Sequence, residues 1–211
     1  MKVIPLGLQC STPEGIKRNN LRDYSYPFDW LWTPSKTTYH ILHHLMNKGI
    51  ASAVEYMTTG YTYYRYLNNE HYESVEYMTE SQMNRDTGLG NTHFTINDEY
   101  KQKLTRRFER MLRDIHSGEN ILFLYADAAN PYLNYHLDEV EYGVDATEYL
   151  VAIYELMHPY NSHIRMVYLC WKERAKDDSC IEYVPYEHQS NLEEMCQVVT
   201  QYLHTFDGKF P

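Results

Sequence analysis

A three-layer α/β/α domain with a mostly parallel sheet is the fold class this sequence predicts, and three observations carry it. Short continuous apolar runs alternate with longer stretches of helical periodicity, the pattern of strand, helix, strand units. At 211 residues the chain is long enough for one sizeable core and short for two, so a single domain over residues 1–211 is expected. A hydrophobic fraction of 43% with 23% charged residues describes a globular chain.

The elements follow in order. Residues 3–8 form an apolar run closed by a Ser-Thr-Pro-Glu-Gly stretch, which reads as a buried strand, a turn and a short helix near residues 15–21. Ser35 can cap a helix with Tyr39, Leu42, Leu45 and Met46 on one face and Gly49 as its stop. Residues 51–92 read as a Tyr-rich irregular insertion, although Tyr61, Tyr63, Tyr64 and Tyr66 suit strand or hairpin geometry. Within it Val-Glu-Tyr-Met-Thr occurs at 54–58 and again at 75–79, too short a repeat for a solenoid; chance or a local strand pair explains it. Asn97 or Asp98 opens an amphipathic helix with Tyr100, Leu104, Phe108, Met111, Leu112 and Ile115 inward, and Gly118 ends it. The apolar run 121–126 is of the kind found in central parallel strands. A helix over 147–157 stopped by His158-Pro159, strands at 164–170 and 181–184, and a final helix opened by the capping box at Ser190 and Glu193 complete the pattern.

Bulk properties exclude some functions. A net charge of −10 argues against a nucleic-acid or anionic-membrane partner. Cys10, Cys170, Cys180 and Cys196 contain no C-x-x-C pair, so no zinc ribbon or thioredoxin motif can be drawn. Reduced thiols, with no secretory or membrane-spanning run, predict a cytoplasmic setting. His40, His43 and His44 lack the glutamate of the zincin motif and read as surface or partly packed, so no metal is expected. No Walker loop or G-x-G-x-x-G is present, and no cofactor is expected.

The chemistry-bearing candidate is Cys10. Sites in open parallel sheets gather beyond the carboxyl ends of the strands, which is where the Gly7-Leu8-Gln9-Cys10-Ser11 segment falls. A thiol between a strand end and a helix N-terminus is expected to ionise easily, and backbone N–H groups around Gly7, Gln9 and Ser11 are candidates for binding substrate or oxyanion. Cys170 and Cys196 lie inside apolar patterns and read as core. Ser11 reads mainly as a capping residue. A nucleophilic Cys needs a base, and His93 and His188 are the histidines expected in loops near strand ends.

Gly7-x-x-Cys10 followed by Leu21-Arg22-Asp23-Tyr24-Ser25-Tyr26-Pro27-Phe28-Asp29-Trp30-Leu31 resembles the start of a papain-like cysteine peptidase family that is largely a domain of unknown function. Thr92-His93-Phe94 before Arg106-Arg107-Phe108 extends the likeness over about the first 130 residues, with Phe94 standing where an acidic residue commonly follows the His. The resemblance implies Cys10 as nucleophile, His93 as base and Asp29 as orienting carboxylate. Asp29 reads equally as an Asx-turn residue beside a packed Trp30. The alternating pattern itself looks more like SGNH-type esterases, in which a Ser occupies the corresponding turn; that analogy concerns fold alone.

The expected functions are therefore a thiol hydrolase or acyltransferase, an SGNH-like carbohydrate-modifying esterase with tyrosines 56–77 as sugar platform and His188 as base, or a non-catalytic binding module. The substrate class stays open among peptide, ester and glycan.

Overall fold

The computed structural model describes residues 1–7, 10–59, 61–65, 80–84, 90–91, 95–127, 146–172, 175–176, 179–187 and 192–206. Strands β1 (Lys2–Pro5), β6 (Ile121–Ala126), β7 (Ile164–Trp171) and β8 (Ile181–Tyr186) form a parallel sheet in that spatial order. Its registers include Pro5 with Leu124 and Tyr125 with Tyr168.

The strand period of two sorts the core into two layers. Ile4, Phe123, Tyr125, Met166 and Tyr168 point to one face, where they meet α2 (Ser35–Lys48), α3 (Ile50–Thr58), α4 (Asp98–Ile115) and α5 (Thr147–Met157). Val3, Leu122, Leu124, Val167 and Leu169 point to the other, where they meet α1 (Ser11–Arg18) and α6 (Leu192–Thr205). The architecture is the three-layer α/β/α sandwich, and every residue of β6 is buried, as a continuous apolar run in a covered parallel strand requires.

Local chemistry sets the helix ends. Asn97 caps α4 by accepting from the Tyr100 backbone N–H at 2.8 Å, with Asp98 and Glu99 in the first turn and Arg113 in the last, each matched to the helix dipole. Tyr100, Leu104, Phe108, Met111 and Ile115 are buried as the spacing demands. Gly49, at φ 85°, stops α2 and immediately precedes α3. Ser35 is the first residue of α2, not its cap; Pro34 holds that position, and no side chain caps the helix.

Two sequence expectations are revised. The stretch read as irregular begins with α3, so the first Val-Glu-Tyr-Met-Thr copy is helical and not a strand partner; the copy at 75–79 lies outside the described residues. Beyond α3, β3 (Tyr61–Arg65) and β4 (Glu80–Asn84) form the hairpin that the tyrosine run suggested. Together with β5 (Gly90–Asn91) and β2 (Leu31–Trp32) they build a small antiparallel sheet in the order β2, β5, β4, β3.

The α1 and α6 helices pack closely through a glycine. A Cβ on Gly15 would stand 2.3 Å from Val199 Cγ1 and 3.2 Å from the Thr200 nitrogen. Asn19 Nδ2 bridges the Gly15 and Thr200 carbonyls at 3.0 Å each, and Arg18 forms a two-pronged pair with Glu193 at 2.8 Å, which turns the Glu193 carboxylate toward α1. Gly15→Ala is therefore expected to destabilise the protein by about 1–3 kcal/mol, because overpacking outweighs the gain of about 1 kcal/mol in helix propensity. A lower urea midpoint at unchanged slope is the expected reading.

Candidate active site

The carboxyl ends of β1 and β6 lie side by side, and α1, which follows β1, packs on one face of the sheet while α5, the next described helix after β6, packs on the other. In parallel α/β folds, ligands usually sit beyond the carboxyl ends of neighbouring strands whose following helices lie on opposite faces. Cys10 stands just beyond the carboxyl end of β1 as the N-cap residue of α1, half-buried, with its carbonyl accepting from the Glu14 N–H at 3.1 Å.

Threonines tie down the strand exit that leads to Cys10. Thr38 Oγ1 donates to the Leu6 carbonyl at 2.9 Å and Thr12 Oγ1 to the Gly7 carbonyl at 3.2 Å. Gly7 has φ 116°, and a Cβ there would stand 2.5 Å from the Thr33 carbonyl oxygen, so both backbone conformation and close approach demand glycine. Ser11 is corrected from cap to first helical residue: it is fully buried, and its Oγ has no hydrogen-bond partner among the described residues.

Burial pushes the Cys10 thiol up to about 11. Cys196 adds to the rise, as do the carboxylates of Asp29 and Glu14, while Cys10's own backbone N–H opposes it. Against the expected thiolate, burial of Cys10 disfavours its charged form in the described surroundings.

The Arg-x-x-Ser-Tyr-Pro-Phe-Asp-Trp string folds into a clamp. Arg22 donates to Ser25 Oγ at 2.7 Å, to the Asp29 carboxylate, and back to the Pro13 carbonyl in α1 at 3.5 Å. Asp29 Oδ2 also accepts from the Tyr26 backbone N–H at 3.0 Å, so the turn role for Asp29 is realised. Phe28 is fully buried in the core, and Trp30, at φ 66°, lies 5.6 Å beneath the Arg22 guanidinium. Left-handed backbone at a tryptophan costs about 1–3 kcal/mol and persists only where neighbours enforce it.

Asp29 is 1% exposed, and its Oδ1 has no partner among the described residues. Burial pushes its carboxyl up to about 6 against the opposing pull of Arg22 and Arg107. Arg107 is itself buried, and that burial lowers its own ordinary value while Asp29 and Tyr100 counteract. Sequence reasoning assigned no such role to Arg107. The signal was available, since position 107 falls within the apolar stripe of 104, 108 and 111.

Asp127 was also missed. Directly after β6, it accepts from Tyr168 Oη at 2.7 Å and from the Trp171 N–H at 3.0 Å, while its carbonyl takes Tyr186 Oη at 3.3 Å. It ties the carboxyl ends of β6, β7 and β8 together, and a charged residue at the end of an all-apolar strand was its clue.

His93, His188 and Gln9 lie outside the described residues. Of the proposed tyrosine platform, Tyr56 is half-buried on α3 against the His44 ring at 4.7 Å, and the segment 66–77 lies outside the described residues. His44 Nδ1 is 2.9 Å from Ser52 Oγ, and among the described residues no three His, Cys, Asp or Glu side chains group to hold a metal ion. Cys170 and Cys196 are buried, as their apolar surroundings predict. No described helix is long and apolar enough to cross a membrane.

The family described as putative papain-like cysteine peptidase matches residues 1–172, from β1 through β7, well beyond the N-terminal motifs. No curated protein and no solved structure matches the chain. With Cys10, the Arg22 to Trp30 clamp and the strands that position them all inside the matched span, the chain belongs to the putative papain-like cysteine peptidase family.

Proposed function

We propose that the protein is a Cys10-dependent acyl-bond hydrolase or acyltransferase, and the observation that carries the reading is the place of Cys10 at the N-cap of α1, beyond the carboxyl end of β1 where it pairs with β6. Because burial raises the Cys10 thiol, the reaction runs by general-base attack and not from a standing thiolate. His93 takes the S–H proton as sulfur bonds to the acyl carbon, the leaving group departs with that proton, and water or an acceptor nucleophile then releases the acyl group from Cys10. N–H groups at the start of α1 stabilise the oxyanion. Asp29 Oδ1, open among the described residues, is the acceptor that would hold the His93 ring.

The raised thiol also favours a second reading, a binding module in which Cys10 packs and does not react. Mass spectrometry during incubation with p-nitrophenyl esters, thioesters and peptides separates the two. An acyl adduct on Cys10, absent in Cys10→Ser and slowed in His93→Ala, is the expected result. Turnover that persists in Cys10→Ser would overturn the proposal. Absence of both adduct and turnover across the panel would favour the binding module. A rate loss confined to His188→Ala would transfer the base role to that residue.

A further inference from the structure

Beside Lys2, at the amino end of β1, three cations converge on one ring. Lys2 Nζ, Arg110 Cζ and Arg113 Cζ lie 5.5, 5.4 and 5.5 Å from the Tyr24 ring centroid, and Arg113 donates to Tyr24 Oη at 3.0 Å. Arg106, exposed one turn before Arg110 on α4, continues the stripe, and its carbonyl accepts from Arg110 Nε at 3.0 Å. Two carboxylates answer these four cations: Asp23 pairs with Lys2 at 3.0 Å, and Asp114 lies 3.6 Å from Arg113. Asp114 is buried and accepts from the Tyr24 and Tyr26 hydroxyls. Arg106 and Arg110 pair with no carboxylate among the described residues, and exposed Glu109 joins neither.

From this cluster on a chain of net charge −10 we infer that the Tyr24, Arg106, Arg110 and Arg113 stripe docks an acidic peptide segment of a partner protein. Three of the four cations are arginines, whose planar forks take carboxylates through paired N–H bonds. Arg106 to Arg113 spans only about 10 Å of helix, and alternate carboxylates on an extended chain recur every ~7 Å, so about four residues cover it and a hexapeptide is long enough to engage it. A nucleic acid or bilayer presents a far wider anionic surface, which the acidic remainder of this chain repels. The inference is independent of whether Cys10 reacts.

The test is fluorescence anisotropy with fluorescein-labelled hexaglutamate at low salt, using wild type, Arg110→Gln/Arg113→Gln, and Lys17→Gln on the distant helix α1 as control, with folds checked by circular dichroism. Wild type and Lys17→Gln are expected to bind alike, the double variant at least about tenfold more weakly, and added salt to weaken binding. No binding by wild type, equal binding by the double variant, or tighter binding of a labelled oligothymidylate or of phosphatidylserine vesicles would overturn the inference.

Discussion

At pH 7 Cys10 of the native protein is expected to react with iodoacetamide about a hundredfold more slowly than an unstructured thiol. The thiolate is the reactive form, and the rise from 9.0 to about 11 lowers its fraction by two powers of ten. The rate should climb about tenfold per pH unit and level only near pH 11. The same rise has a stability consequence. The folded state holds its proton between pH 9 and 11 while the unfolded chain loses it, so Cys10 contributes a loss of up to about 2–3 kcal/mol as pH increases through that window. Peptide mapping of quenched samples, with Cys10→Ser to assign the signal, reads the rate. A profile with a midpoint below an ordinary thiol value of about 8.5 would mean that groups beyond the described surroundings hold a thiolate, and the general-base mechanism would give way to an ion pair.

Asp29→Ala is expected to cost about 3–5 kcal/mol in urea unfolding, because it leaves two buried or nearly buried guanidinium groups without the carboxylate that faces them. Arg22 is 13% exposed in that pair, and Arg107 is 5% exposed overall. The Tyr26 N–H loses its acceptor as well. Asp29→Asn keeps the shape and most of the hydrogen bonding, so its loss should be smaller, and it isolates the charge. With the folded carboxyl at about 6 and the unfolded value at 3.8, the native protein holds the proton through that interval, and the Asp29 contribution falls as pH rises across it. Wild-type stability minus that of Asp29→Asn should therefore drop by about 2–3 kcal/mol between pH 4 and pH 6 and stay level above. A flat difference would show that Arg22 and Arg107 cancel the burial cost.

Much of the architecture was legible because it rests on local periodicity. The run at 121–126 could bury every residue only as a covered parallel strand, and it became β6. The stripe from Tyr100 to Ile115 could satisfy its apolar groups only as a helix against a core, with Asn97 as its natural start. Helix α3 was obscured because its nine residues are dense in β-branched and aromatic types at their carboxyl end and run straight into a tyrosine-rich strand.

By itself the sequence determined the layer order, the position of Cys10 at a strand exit and the motif that surrounds Asp29, since each depends on spacing along the chain. The tertiary structure alone decided their chemistry. Whether Cys10 ionises depends on desolvation and on Cys196, 186 positions away, brought near by the packing of α6 on α1. The coupling of Asp29 to Arg107 exists because α4 brings a buried guanidinium under the Arg22 clamp. Such terms arise between residues distant in sequence and vary with burial, which only the folded arrangement fixes.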